Sequence, residues 1–274
     1  QHGYRNLIWC CDVHQLYHRM QLNEAADQDL VAFVEAQTAL FTQNKGGDSV
    51  FSLFLSVDIP PEYFKNISEG HFFYTPSTTG LGDLYTTQLS QLLADHVPQK
   101  EMDPAIRSYL QQYFAYTTYE ISIPVLKDPS LAPAGKTGLI ISCLFDYELM
   151  QISVEESWYE QMKTFCCESI IDVCTDSIYP QLRENVISYF CSTPVSIERV
   201  TGNTQGAITG WSFDTHQMPA VHEMQKVSQA VRTPFDHIYQ AGQWTYSPAG
   251  LPMAVLTGKL AADRAIRATK RQRK

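Results

Sequence analysis

The residues best arranged for chemistry lie near the C-terminus. Ile238-Tyr239-Gln240-Ala241-Gly242-Gln243-Trp244 reads as a strand running into a turn. Ser247-Pro248-Ala249-Gly250-Leu251-Pro252 reads as a loop, and Met253 to Asp263 as a helix. A helix starting within Gly250–Pro252 presents backbone N–H groups and a positive dipole end, both suited to electron-rich oxygens, while Gly250 permits close approach. The small residues Ala254, Gly258, Ala261 and Ala262 let that helix pack tightly. Spacing alone serves a plain surface helix packed on a strand equally well. His14 and His18, four apart, could share a helix face and bind a metal, but no third ligand is identifiable, so they read as ordinary polar helix positions. Gly80-Leu81-Gly82 opens like a dinucleotide loop, yet Tyr85 stands where the third glycine belongs. There is no Gly-x-Ser-x-Gly elbow, Walker loop or Cys-x-x-Cys pair. No side chain announces itself as an acid or base, so no catalytic residue is named and no metal is expected.

The elements that must position these residues are legible in outline. Leu7 to Cys11 is a short apolar run ending at Asp12, consistent with a buried strand. A helix is expected from Asn23 to about Gln43, carried by Leu30, Phe33, Val34, Leu40 and Phe41, and Asn44 to Asp48 then punctuates the chain. Val50–Val57, a segment from His71, Tyr119–Pro124 and Leu139–Phe145 are strand candidates for one sheet. Asp128 to Lys136 specifies an irregular loop. Trp158 to about Tyr179 is the clearest long helix, with Met162, Phe165, Cys166, Ile170 and Val173 at core intervals.

The closing segment resembles the C-terminal signature of phytoene-desaturase-like flavoproteins (carotenoid desaturases and isomerases, retinol saturases) and of amine-oxidase-like ones. Thr193-Pro194 through Gly202, Gly206 and Gly210-Trp211 is similar to the desaturase-like group's own segment, which favours that branch over the amine oxidases. Leu7 to Tyr17 resembles the family's strand-Asp-turn between flavin and substrate domains, and Ile123-Pro124 to Ala132-Pro133 its proline-containing loop. The resemblance implies a mixed α/β (α+β) fold in three pieces: an FAD-domain return segment over 1–46, a mixed-sheet substrate-binding domain over 47–235, and a flavin-facing segment over 236–274. It implies FAD as cofactor, held by Gly242, Gln243, Gly250, Leu251, Pro252 and Met253, and an apolar polyene-like substrate walled by Tyr74, Trp211 and Trp244. Gln243 departs from the acidic residue that many relatives carry there. The family's Gly-x-Gly-x-x-Gly turn has no counterpart, so an N-terminal segment of the same protein is expected as a partner, and the isolated chain is expected to be inactive. The rival of a different kind is a noncatalytic module that binds an apolar ligand or a protein.

Composition bounds these readings. With 44% hydrophobic and 18% charged residues among 274, the chain should fold. A net charge of −9 argues against a nucleic-acid partner. Arg264, Arg267, Lys270, Arg271, Arg273 and Lys274 nonetheless concentrate positive charge at the end, as a solvated basic tail or a contact with a membrane surface. Seven cysteines, including the neighbours Cys10-Cys11 and Cys166-Cys167, suit reduced thiols and a cytoplasmic setting, peripheral to a membrane if the tail engages lipid.

Overall fold

Phe51, Leu53, Leu55 and Val57 alternate with less buried neighbours, as do Leu139, Ile141, Cys143 and Phe145, and this period of two places both segments in a sheet with one face on a core. The computed structural model describes residues 3–22, 27–213 and 218–272. It divides into two compact units, one of Gln1–Ser49 with Ser196–Lys274, the other of Val50–Val195. Along the chain, the first unit opens with β1 (Leu7–Trp9), α1 (Val13–His18) and α2 (Gln28–Thr42). The second carries β2 (Ser49–Val57), α3 (Pro61–Lys65), β3 (His71–Tyr74), α4 (Thr87–Asp95), α5 (Pro104–Tyr116), β4 (Tyr119–Ser122), β5 (Thr137–Phe145), α6 (Tyr147–Glu155), α7 (Tyr159–Ser177) and β6 (Val186–Ser192). After α8 (Pro194–Thr201) the chain returns through α9 (Val227–Ala230), β7 (Ile238–Gln240) and α10 (Leu251–Gln272).

The second unit is a five-stranded sheet in the order β3-β4-β5-β2-β6, with β2/β6, β3/β4 and β4/β5 antiparallel. Its core joins the inward residues of β2 and β5 to Ile106, Leu110 and Phe114 of α5 and Met162, Cys166, Ile170 and Cys174 of α7. All seven cysteines are free thiols, and burial drives Cys143 and Cys166 above the ordinary range, as expected of thiols acting as small core hydrophobes. The sequence reading omits β6, an edge strand whose Ile187 and Phe190 are exposed, so it lacks a clean alternation of burial.

In the first unit β1 and β7 pair in parallel, Leu7 opposite Ile238 and Trp9 opposite Gln240. Ile8, Tyr239, Val231, Ala241, Leu260 and Ala261 pack α10 against the two strands. The start of the helix expected from Asn23 lies outside the described residues, as do Arg273 and Lys274. The middle piece, expected to run to Phe235, is a compact unit only to Val195. Backbone hydrogen bonding gives the reason: Gly47 N–H donates to the Gly210 carbonyl (2.6 Å), Ile208 N–H to Asp48 O (2.9 Å), and the Ser49 hydroxyl to Gly206 O (2.7 Å). Residues 204–212 are thereby tied to residues 45–49.

Candidate functional site

Where β7 ends, Ala241 N–H donates to Trp9 O (2.8 Å), and Gly242 turns the chain with φ +95°. A Cβ on Gly242 would lie 3.2 Å from the Cys10 carbonyl oxygen, so glycine is set there by conformation and proximity together. Gly242 N–H donates to Thr257 Oγ1 (3.1 Å), and that buried hydroxyl donates to Met253 O (2.8 Å), linking the strand end to α10. Beside this junction Cys10, Asn203, Ile208, residues 241–244 and Gly250, Leu251, Ala254 and Gly258 line a cleft of about 550 Å³. Leu251 and Met253 carry N–H groups ahead of the first bond of α10, Ala254 N to Gly250 O (2.9 Å); Pro252 has none. At Gly250 the nearest atom to an added Cβ is Pro252 Cδ at 3.8 Å, so packing within the protein leaves room there.

Gly258 is the informative residue. Glycine inside a helix costs about 1 kcal/mol relative to alanine. An added Cβ here meets nothing within 4 Å. Packing does not require the small residue, and the open space it faces is the cleft.

The cleft wall is held by a buried polar clasp that the sequence reading did not single out. Asp12, 1% exposed, caps α1 by accepting from His14 N–H (2.8 Å), and also accepts from the His14 ring at Nδ1 (2.7 Å) and from Thr204 N–H. Burial pushes the Asp12 carboxyl up, but the hydrogen bonds from His14 and Thr204 outweigh it and hold the group below its ordinary value. Nε2 of His14 lies 3.1 Å from the Phe41 carbonyl oxygen, and the ring lies 4.8 Å from Trp211 and 5.2 Å from Trp244 between centroids. Trp211 donates from Nε1 to Trp244 O (3.0 Å), and the two indoles meet edge to face at 5.1 Å. Gln243 Nε2 and Asn203 Nδ2 each donate to Ala207 O (3.2 Å), fixing the loop after α8 against the turn.

A second cavity, of about 290 Å³, is lined by Tyr17, Phe33, Phe41, Trp211 and Trp244 among others, with Gln37 and Arg232 among its polar members. Trp244 lines both cavities. Of the residues singled out in the sequence, Gly242, Gln243, Gly250 and Leu251 line the cleft, Pro252 and Met253 belong to the same helix start, and Trp211 and Trp244 touch. Tyr74 lies on β3 of the other unit, half-buried against that unit's own core. His14 and His18 do share α1, but His14 is committed to Asp12 and Phe41, and no group of three or more potential metal ligands occurs among the described residues. No helix among them is long and apolar enough to cross a membrane.

Comparison with known proteins finds a distant similarity to carotenoid desaturases. The chain is similar to 4,4'-diapophytoene desaturase (4,4'-diaponeurosporene-forming) of Staphylococcus aureus strain Newman, and to the protein of the same description from strain USA300, with 25% identity over 150 residues in both cases. The match covers 54% of this chain and 28% of the length of each relative. No family model matches.

Proposed function

We propose that the chain supplies the ring end of the flavin site in an FAD-dependent oxidoreductase acting on an apolar, polyene-like substrate by desaturation, isomerisation or saturation. The observation that carries this reading is Gly258, a helix-interior glycine whose missing side chain opens a cleft and relieves no protein contact. The residues fit such a group. Gly258 allows close approach, Gly242 turns the chain into the cleft, the first turn of α10 offers N–H groups and a positive dipole end to ribityl oxygens, and Gln243 keeps hydrogen-bonding capacity without charge. A bound flavin supplies the electron acceptor for removing a hydride from an unactivated C–H bond. The chain's own part is to orient and to exclude water: Trp211 and Trp244, both buried, form an apolar wall, and the Asp12 clasp keeps the loop after α8 against them. Distant similarity to a carotenoid desaturase supports the polyene class.

Riboflavin and FAD titrations followed by tryptophan fluorescence test the reading. With no Gly-x-Gly-x-x-Gly turn to cradle the pyrophosphate, the two ligands are expected to bind within about threefold of each other, and Gly258→Val to weaken both by about tenfold or more at unchanged melting temperature. Absence of saturable quenching, or identical binding by the variant, overturns the assignment.

A further inference from the structure

The opposite end of β7 opens onto a different feature. Ahead of Ile238, a cleft of about 400 Å³ is lined by Arg232, Asp236, His237, Arg264, Arg267 and Arg271 among others. Arg264, Arg267 and Arg271 are spaced i, i+3 and i+7, one face of α10, and Arg232 reaches the cleft from the segment before β7. Four guanidinium groups thus share one concavity with a single lining carboxylate, in a chain whose net charge is −9.

Two ordinary explanations fall short. Basic residues favour helix C-termini because they offset the dipole, but that effect falls off within the last turn. It covers Arg271; Arg264 lies two turns earlier, and Arg232 is not on the helix. Intramolecular pairing does not absorb the charge either. Asp263 pairs with Lys259 (2.7 Å) and feels the charge of Arg267 only at longer range, Arg264 donates to the Ser228 carbonyl (2.7 Å), and among the described residues no carboxylate oxygen lies within 4 Å of the side-chain nitrogens of Arg232, Arg267 or Arg271. Burial, and then the like charges of Arg232 and Arg267, hold the Arg264 guanidinium below its ordinary value. His237, at the rim, adopts φ +66°, an uncommon conformation for a residue other than glycine.

We propose that this arginine-lined cleft binds a phosphate-bearing anion, either a free phosphate compound or the headgroup of an anionic lipid. Planar guanidinium forks match phosphate oxygens bidentately, and converging positive groups that repel one another when empty gain most when a dianion enters. The lining is separate from that of the glycine-lined cleft, so the site stands independently of the flavin reading.

Calorimetric titration of the chain with inorganic pyrophosphate, and sedimentation with phosphatidylcholine vesicles with and without phosphatidic acid, test it. The variant Arg232→Gln/Arg267→Gln leaves Arg264 and its bond to Ser228 intact. The control Lys226→Gln/Lys259→Gln removes the same number of charges from lysines that pair with Glu223 and Asp263. The expected result is single-site pyrophosphate binding, weakened about tenfold or more in the arginine variant and less than about twofold in the control. Binding only to vesicles containing phosphatidic acid, with the same dependence on the arginines, supports the proposal with a lipid as the source. Binding of neither probe, or equal loss in both variants, overturns it and leaves a solvated basic face. Unchanged melting temperatures identify the variants as folded.

Discussion

In the Val50–Val195 unit the residues that hold the fold are apolar and recur at regular local spacing: alternate positions of β2 and β5 meet the inner faces of α5 and α7. In the other unit the corresponding work falls to a carboxylate, a histidine, two indoles and several glycines drawn from both ends of the chain. An apolar core tolerates many sequences that keep its volume and pattern, whereas a polar clasp depends on particular donors and acceptors being present. The second kind of unit lines both the glycine-lined and the arginine-lined clefts, so both proposed sites sit where the fold is most specific in its chemistry.

The largest expected effects break this contrast from either side. Phe51→Ala, in a fully buried position of β2, should cost about 3–5 kcal/mol, seen as lost hydrogen-exchange protection of the sheet amides at every pH where the protein is folded. Asp12→Ala should cost about 1–3 kcal/mol for each buried donor it leaves without an acceptor, the His14 ring and Thr204 N–H, in α1 and the 203–207 loop. Its pH dependence separates the two mechanisms. The folded Asp12 carboxyl is held below 3.8, so its stabilisation is complete above that value and disappears as the pH falls through the lower folded one. Wild type and Asp12→Ala should therefore converge in stability on acidification, and wild type and Phe51→Ala should not; parallel curves for Asp12→Ala would refute the clasp.

Smaller effects sharpen the comparison. Gly258→Ala should stabilise α10 by about 0.5–1 kcal/mol, a rise in melting temperature that marks a position where stability has been given up for access. On the surface of the other unit, Arg183 joins Glu168 and Asp172, and Tyr189 donates to Glu168, yet these groups are substantially exposed. Arg183→Ala should cost about 1 kcal/mol or less and the cost should shrink in high salt, measured by denaturant titration.

How much of this was legible depends on the range of the interactions. Alternation and β-branched content revealed β2 to β5, and periodic burial revealed α7, because neighbours a few residues apart decide both. The turn at Gly242 and the start of α10 were readable from composition and resemblance. Asp12 left only a faint mark, an acidic residue closing an apolar run with a histidine two positions on. Its role depends on Thr204, far away in the sequence, and no local pattern encodes that partner. The same long-range bonding moved the end of the compact middle unit to Val195, and exposure on an edge hid β6.

The bond between Gly47 and Gly210 has a consequence for how freely the sequence can drift. At Gly210, with φ +78°, a Cβ would stand 2.3 Å from the Gln243 carbonyl oxygen, a backbone atom with nowhere to retreat. Gly80 has a similar φ of +67°, but nothing lies within 4 Å of the added atom. In a saturation-mutagenesis survey scored by folded yield, Gly80 should accept asparagine and aspartate, which visit the left-handed region at modest cost, while Gly210 should accept no other residue. Two glycines with nearly the same backbone angle would then differ completely in mutational tolerance, because one is constrained by conformation alone and the other also by a crossing of three distant stretches of chain.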